Sequence, residues 1–179
     1  DALTSGFYNF AMGFTAGTSL TTGSSNILIG PQSGLFLTSG YYNIAIGRDS
    51  LVYGTSANFN IAIGAGTIRF SNGTNNVCVG NYAGRGATGN NYSYNTIIGD
   101  NAGYSCTTGS SNIFIGYNAG YRQTSASNLI IVDNQQRADQ ATELTNSIIY
   151  GVMAAAPANQ TLRLNAKVGV NKNPTYDMD

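Results

Sequence analysis

The chain has 179 residues, of which only 9% are charged, with eight Lys+Arg balancing eight Asp+Glu, no histidine, no tryptophan, two cysteines and 23 glycines. So few basic residues exclude an electrostatic footprint for nucleic acid or an anionic membrane surface, and no apolar run reaches the ~20 residues of a membrane-spanning helix. With 42% hydrophobic residues the chain can still form a core; lacking histidine, it lacks the commonest general base and neutral metal ligand, and no cofactor is expected.

In chain order the predicted elements are copies of one. Asn-apolar-x-apolar-Gly occurs at Asn9–Gly13, Asn26–Gly30, Asn43–Gly47, Asn60–Gly64, Asn76–Gly80, Asn95–Gly99 and Asn112–Gly116, and a degenerate eighth copy begins at Asn128. Successive asparagines are 17, 17, 17, 16, 19, 17 and 16 residues apart. A second signature follows in most copies: Ala16-Gly17, Ser33-Gly34, Ala83-Gly84, Ala102-Gly103 and Ala119-Gly120. The short β-branched segments between Gly and Asn read as strands and turns, with room for two strands per unit. A unit this small cannot bury its own apolar face, so it stacks on its neighbours. The expected fold is all-β: a parallel β-solenoid, or β-roll, of ~17-residue coils over residues 1–132, on the order of 40 Å long.

Alternate strand residues face opposite ways. The columns starting at Phe10 and Met12, through Ile27 and Ile29 to Leu129 and Ile131, are expected to fill the coil interior. The middle column, Ala11, Leu28, Ala45, Ala62, Cys78, Ile97, Phe114 and Ile130, then points outward, yet it is apolar too. A strand wetted on one face alternates apolar and polar, so both faces are expected to be covered. The middle column is therefore expected to be the interface with further copies of the chain. The asparagines are expected to form a ladder from coil to coil, and the glycines to allow positive φ or close approach.

Asn43-Ile44-Ala45-Ile46-Gly47 and Asn60-Ile61-Ala62-Ile63-Gly64 resemble the repeats of trimeric autotransporter adhesin heads and of bacteriophage tail-fibre shafts. Those families form trimeric β-rolls with small apolar residues at the three-fold axis, and the resemblance covers roughly residues 4–132. Their adhesin-head repeat is near fourteen residues, so the longer unit here favours the fibre side. Val168–Asp179 resembles the Val-Gly-Ile-Gly-Thr-x-x-Pro-x-x-x-Leu-Asp segment of tail fibres, with Asn171 and Met178 departing from it. There the segment often precedes a coiled stalk or a self-cleaving chaperone domain. The chain starts inside a repeat and stops after that segment, so a fragment or matured product is expected, and a missing upstream region would account for the lack of a secretion signal. The resemblance implies a homotrimer in the virion that attaches to a host-cell glycan or protein receptor. The alternatives are a bacterial cell-surface adhesin head and a polysaccharide depolymerase tailspike.

Beyond Val132 the spacing breaks. Asp133–Thr145 is the most polar stretch, Asn146–Gly151 reads as an altered ninth strand, Ala154–Pro157 as a connector, and Gln160–Asn165 alternates like a strand with one buried face. Residues 133–179 are expected to cap the open end of the solenoid.

The acids Asp49, Asp100, Asp133, Asp139 and Glu143 share no column, which disfavours paired-carboxylate catalysis, and no enzymatic activity or metal site is expected. Cys78 and Cys106 occupy different repeat positions and are expected to be free thiols. Gly86–Tyr94 lies in the 19-residue step, and insertions in repeats often map to a binding face. Arg85, Tyr92 and Tyr94 are the expected receptor contacts.

Overall fold

Three residues between an asparagine and a glycine are all the regular strand a coil contains. The computed structural model describes residues 6–87 and 89–166; the C-terminal segment Val168–Asp179 lies outside them. Eight strands stack in chain order: β1 (Phe10–Met12), β2 (Ile27–Ile29), β3 (Ile44–Ile46), β4 (Ile61–Ile63), β5 (Val77–Val79), β6 (Thr96–Ile98), β7 (Ile113–Ile115) and β8 (Leu129–Val132). All seven pairings among them are parallel. Helix α1 (Gln140–Asn146) follows, then β9 (Ile149–Val152) and β10 (Thr161–Leu164), which add antiparallel strands to the same sheet.

The parallel solenoid of ~17-residue coils is as the periodicity predicts, but each coil carries one strand rather than two. Turns make up the rest of each coil, and they too pair from coil to coil: the Gly17 N–H donates to Ser33 O, Gly34 to Ser50 O and Gly103 to Ala119 O. Every backbone polar group that the coil buries must find a partner, and coil stacking supplies it without a second strand.

The asparagine ladder forms as expected. Asn43 donates its backbone N–H and its Nδ2 to Asn26 Oδ1 (3.0 and 2.9 Å), and its Nδ2 also reaches Ala57 O (2.7 Å). Asn60 repeats this on Asn43, Asn76 on Asn60 and Asn95 on Asn76. The strand-closing glycines have φ between 115° and 139°. A Cβ on Gly30 would lie 2.7 Å from Gly47 C, in the backbone of the next coil. Only glycine fits that conformation and that approach.

The eighth coil is one residue out of the predicted phase. Ile130 pairs with Ile113, Ile131 with Phe114 and Val132 with Ile115. Leu129, not Asn128, therefore takes the asparagine place, and its N–H donates to Asn112 Oδ1 at 2.9 Å. A leucine offers no side-chain oxygen, so the ladder ends there.

The structure exchanges the predicted inner and outer columns. Leu28, Ala45, Ala62, Cys78, Ile97 and Phe114 are completely buried within the single chain. Ala11 occupies the same inward position but is exposed in the first coil, and Ile130 lies on the outer face because of the register shift. The flanking columns face outward: Ile27, Ile63, Ile98 and Ile115 are 37–40% exposed. A side chain sealed inside its own coil cannot touch a second copy, so six of the eight expected interface residues are core.

Volume explains the inward choice. Where the strand supplies a large residue, the facing turn supplies glycine: a Cβ on Gly34 would meet Leu28 Cδ1 at 2.8 Å, one on Gly103 would meet Ile97 Cδ1 at 2.9 Å, and one on Gly120 would meet Phe114 Cδ2 at 2.7 Å. Where the strand supplies only Ala45 or Ala62, the equivalent turn residues are Leu51 and Ile68, both fully buried. In these coils strand and turn residues compensate in volume, as close packing requires, whereas in the first coil Ala11 and Gly17 are both small.

At the C-terminal end α1 seats against the last coil. Asp139 is its N-cap, accepting from Thr142 N (2.8 Å) while Thr142 Oγ1 accepts from Asp139 N (3.0 Å). Glu143, 1% exposed, reaches back to accept from Arg122 N (2.7 Å) and Gln123 Nε2 (2.9 Å). The last coil's donors are met by a side chain instead of another coil. β10 departs from expectation, since all four of its residues are exposed: it is the last strand in the sheet order, and among the described residues nothing covers its apolar positions.

Candidate functional site

The 19-residue coil holds the predicted receptor contacts, and the structure separates them. Tyr92 is fully buried. Its hydroxyl donates to Gly84 O, and its own carbonyl accepts from Asn76 Nδ2 at 3.0 Å. Coil five has small residues at both interior positions, Cys78 and Gly84, and the insertion delivers a tyrosine to fill the space they leave. Tyr92 is thus a core residue and not a receptor contact. Burial pushes its phenol well above the ordinary range, with the two nearby thiols adding to the effect.

Arg85 is half-buried and occupied. Its guanidinium carbon sits 4.9 Å from the Phe70 ring centroid and 5.0 Å from that of Tyr104. The sandwich joins two aromatic stacks. On one side Phe36, Tyr53 and Phe70 stack with centroids 5.1 and 5.0 Å apart; on the other, Tyr104 and Tyr121 stack at 4.9 Å. Arg85 replaces one rung, held by cation–π attraction on both faces. Because the ring faces are spent on one another, this ladder is not an open platform for a sugar.

Tyr94 alone of the three projects, 65% exposed, with φ of 61° and its N–H donating to Thr74 O at 3.1 Å. It belongs to a column in the last residue of each coil that includes Tyr8, Tyr42 and Phe59, also exposed and also at positive φ. Tyr42 and Phe59 stack at 5.2 Å. This column runs beside the outer face of the sheet.

The titratable groups serve the scaffold. Asp133 takes a bidentate bond from Arg137 (2.6 and 2.9 Å), and Glu143 plugs the last coil. Burial pushes the Glu143 carboxyl up, against the hydrogen bonds from Arg122 and Gln123 that pull it down. Asp139 is held below its usual range by its bonds from Thr142. Cys78 and Cys106 are free and buried. Burial raises both thiols, Cys106 to about 12, so neither is a poised nucleophile.

Among the described residues no cluster of three or more His, Cys, Asp or Glu is placed to hold a metal, and no helix is long and apolar enough to cross a membrane. One open cleft of about 600 Å³ lies at the C-terminal end, lined by residues that include Ile130, Met153, Pro157 and Leu162, none of its lining residues charged. Comparison of the chain with protein families, curated proteins and solved structures gave no match. The surface features that sequence reasoning missed are the Tyr42–Phe59 pair and the outward Ile/Val columns. The paired sizes of strand and turn residues carried the signal for the latter.

Proposed function

We propose that this chain is a non-enzymatic structural and receptor-binding segment of a trimeric viral tail fibre that mediates host-cell attachment. The observation that carries the reading is the axial ladder, in which strands and turns pair along one direction through eight coils and asparagine side chains continue it through the first seven. Such a rod resists bending, because any tilt must lengthen a whole row of buried hydrogen bonds at once. Its role in this reading is to hold a recognition surface at a distance from its anchor, on the virion. The partner is a surface glycan or protein on the host cell.

Of the expected receptor contacts, the reading keeps Tyr94. It is stiff, amphipathic and exposed, as recognition tyrosines are. The test is binding of fluorescently labelled protein to a panel of bacterial cells and to a glycan array. Saturable binding that falls at least tenfold with Tyr94→Ala supports both the attachment role and the contact. Binding unaffected by Tyr94→Ala removes the residue, and no binding to any cell or glycan overturns the attachment role.

A further inference from the structure

The last residue of each coil stands in one column at one backbone conformation. Tyr8, Ser25, Tyr42, Phe59, Asn75, Tyr94 and Ser111 all hold φ between 55° and 61°. From Ser25 on, each N–H donates to a carbonyl of the coil before, as Asn75 does to Asn58 O and Tyr94 to Thr74 O, both at 3.1 Å. Equal φ and coil-to-coil bonding aim these side chains the same way, as rungs of a ladder. Aromatic side chains adopt that conformation at a cost, yet Tyr8, Tyr42, Phe59 and Tyr94 are 47–91% exposed. The strain gains them no place in the core.

The ladder lacks two rings. Ser25 stands between Tyr8 and Tyr42, and Asn75 between Phe59 and Tyr94. Two coil steps put about 9.6 Å between the flanking residues, room for one planar group. Tyr42 and Phe59, one step apart, stack at 5.2 Å with planes 11° apart, and Tyr41 braces both edge-on. A gap of the same kind is filled elsewhere in the chain. Phe70 and Tyr104 also flank a coil with no ring, and Arg85 lies between them, 4.9 and 5.0 Å from the two centroids. Among the described residues Arg85 makes no ion pair, so the two rings hold its guanidinium without a carboxylate. At the exposed gaps the chain supplies no cation of its own: the neighbouring Ser24, Asn58, Thr74 and Ser93 are uncharged.

From this correspondence we infer that the two gaps are guanidinium slots, and that together they take two arginines four residues apart in an extended segment of a partner protein. The slots lie three coil steps apart, about 14 Å, while residues i and i+4 of an extended strand are about 13 Å apart and point the same way. A guanidinium is planar and weakly hydrated, so it stacks between rings; a lysine ammonium is a strongly hydrated point charge. The slots deepen the attachment reading and rest on it only for placing the partner on the host cell.

Fluorescence anisotropy of the full chain with a labelled peptide, Gly-Arg-Gly-Ser-Gly-Arg-Gly, tests the slots. Saturable binding below about 1 mM is expected. It weakens about fivefold or more when both arginines become lysine, or when they stand three residues apart and so on opposite sides of the strand. Asn75→Tyr puts the missing ring in place, at a conformation that Tyr42 and Tyr94 already hold. It is expected to weaken binding as much, with an unchanged far-UV spectrum, while Ser111→Tyr, in the same column beyond the gaps, leaves binding unchanged. Tyr94→Ala removes one wall and also weakens it; Tyr94→Phe does not. No saturable binding overturns the inference, as does equal affinity for the lysine peptide or in the Asn75→Tyr protein. Peptide binding by a protein that binds no cell defeats only the attachment role, and cell binding without peptide binding defeats only the slots.

Discussion

Leu51 and Ile68 hold φ of 53° and 46° at a turn position where five other coils place glycine. A branched side chain there carries roughly 1–3 kcal/mol of strain, which the chain tolerates because Ala45 and Ala62 leave room inside those coils that must be filled. This pairing predicts strong coupling. Leu28→Ala alone is expected to cost ~2–5 kcal/mol, and Gly34→Leu alone also destabilises, because its Cβ would lie 2.8 Å from Leu28. The double variant copies coil three into coil two and should recover most of the loss. Urea unfolding measures the cycle, and simple additivity of the two single effects contradicts the volume account. The same covariation was readable in the sequence. Alternation alone could not orient the strands, since nearly all of their positions are apolar, but the replacement of the turn glycine by Leu51 and Ile68 in the two coils whose strands centre on Ala45 and Ala62 was a cue to their orientation. A second expectation concerns the thiols: with both buried and raised, Cys78 and Cys106 should resist maleimide at pH 8 and react only as fast as the coils open. Rapid labelling of the native protein would show the interior of coils five and six to be accessible.

At the scale of elements, the ladder was legible because each asparagine stands in one place relative to a glycine. The side chain of Asn60 accepts two bonds from Asn76 and donates one to Gly73 O. Asn60→Ala strands several buried groups and is expected to cost at least ~2 kcal/mol. Asn112→Ala should cost less, because Asn112 Oδ1 serves only the Leu129 N–H in the coil below. Thermal or urea denaturation of the two variants checks the order. Helix α1 was not legible as a helix: seven residues hold no apolar stripe, and the available cue was Asp139 three residues ahead of Thr142, which form the capping box. Its buried Glu143 gives a pH prediction. A carboxyl raised in the folded state binds its proton more tightly there than in the unfolded chain. Stability from this group is therefore full below the ordinary glutamate range and is lost as pH rises through the elevated folded value. Glu143→Gln should flatten that decline, and pH-dependent unfolding of the two proteins measures it. An identical slope in both would place the pH sensitivity elsewhere.

At the scale of the whole molecule, each coil touches only its neighbours, so stability should behave as a sum over coils and their junctions. Deleting residues 43–59, one complete coil, brings Asn60 onto Asn26 with every ladder position matched. The shortened rod is expected to fold, with a urea m-value reduced roughly in proportion to the surface lost. A deletion variant that fails to fold would mean that the coils are not interchangeable. The periodicity made the solenoid legible and the C-terminal cap only partly so, because β9 and β10 reverse direction and leave the repeat. Resemblance to trimeric fibres brought an expectation of small residues at a shared axis, and here the small residues lie inside each coil.

The steps of 16 and 19 residues leave the strands in register, because the missing and extra residues fall in the turns between Ser71 and Asn76 and between Gly86 and Tyr94. Circumference and advance are therefore independent in this molecule: the perimeter of a coil can grow or shrink without changing how far it climbs. Short foreign peptides spliced between Ala87 and Asn91 would then hang from the flank as pendants while the spine kept its pitch.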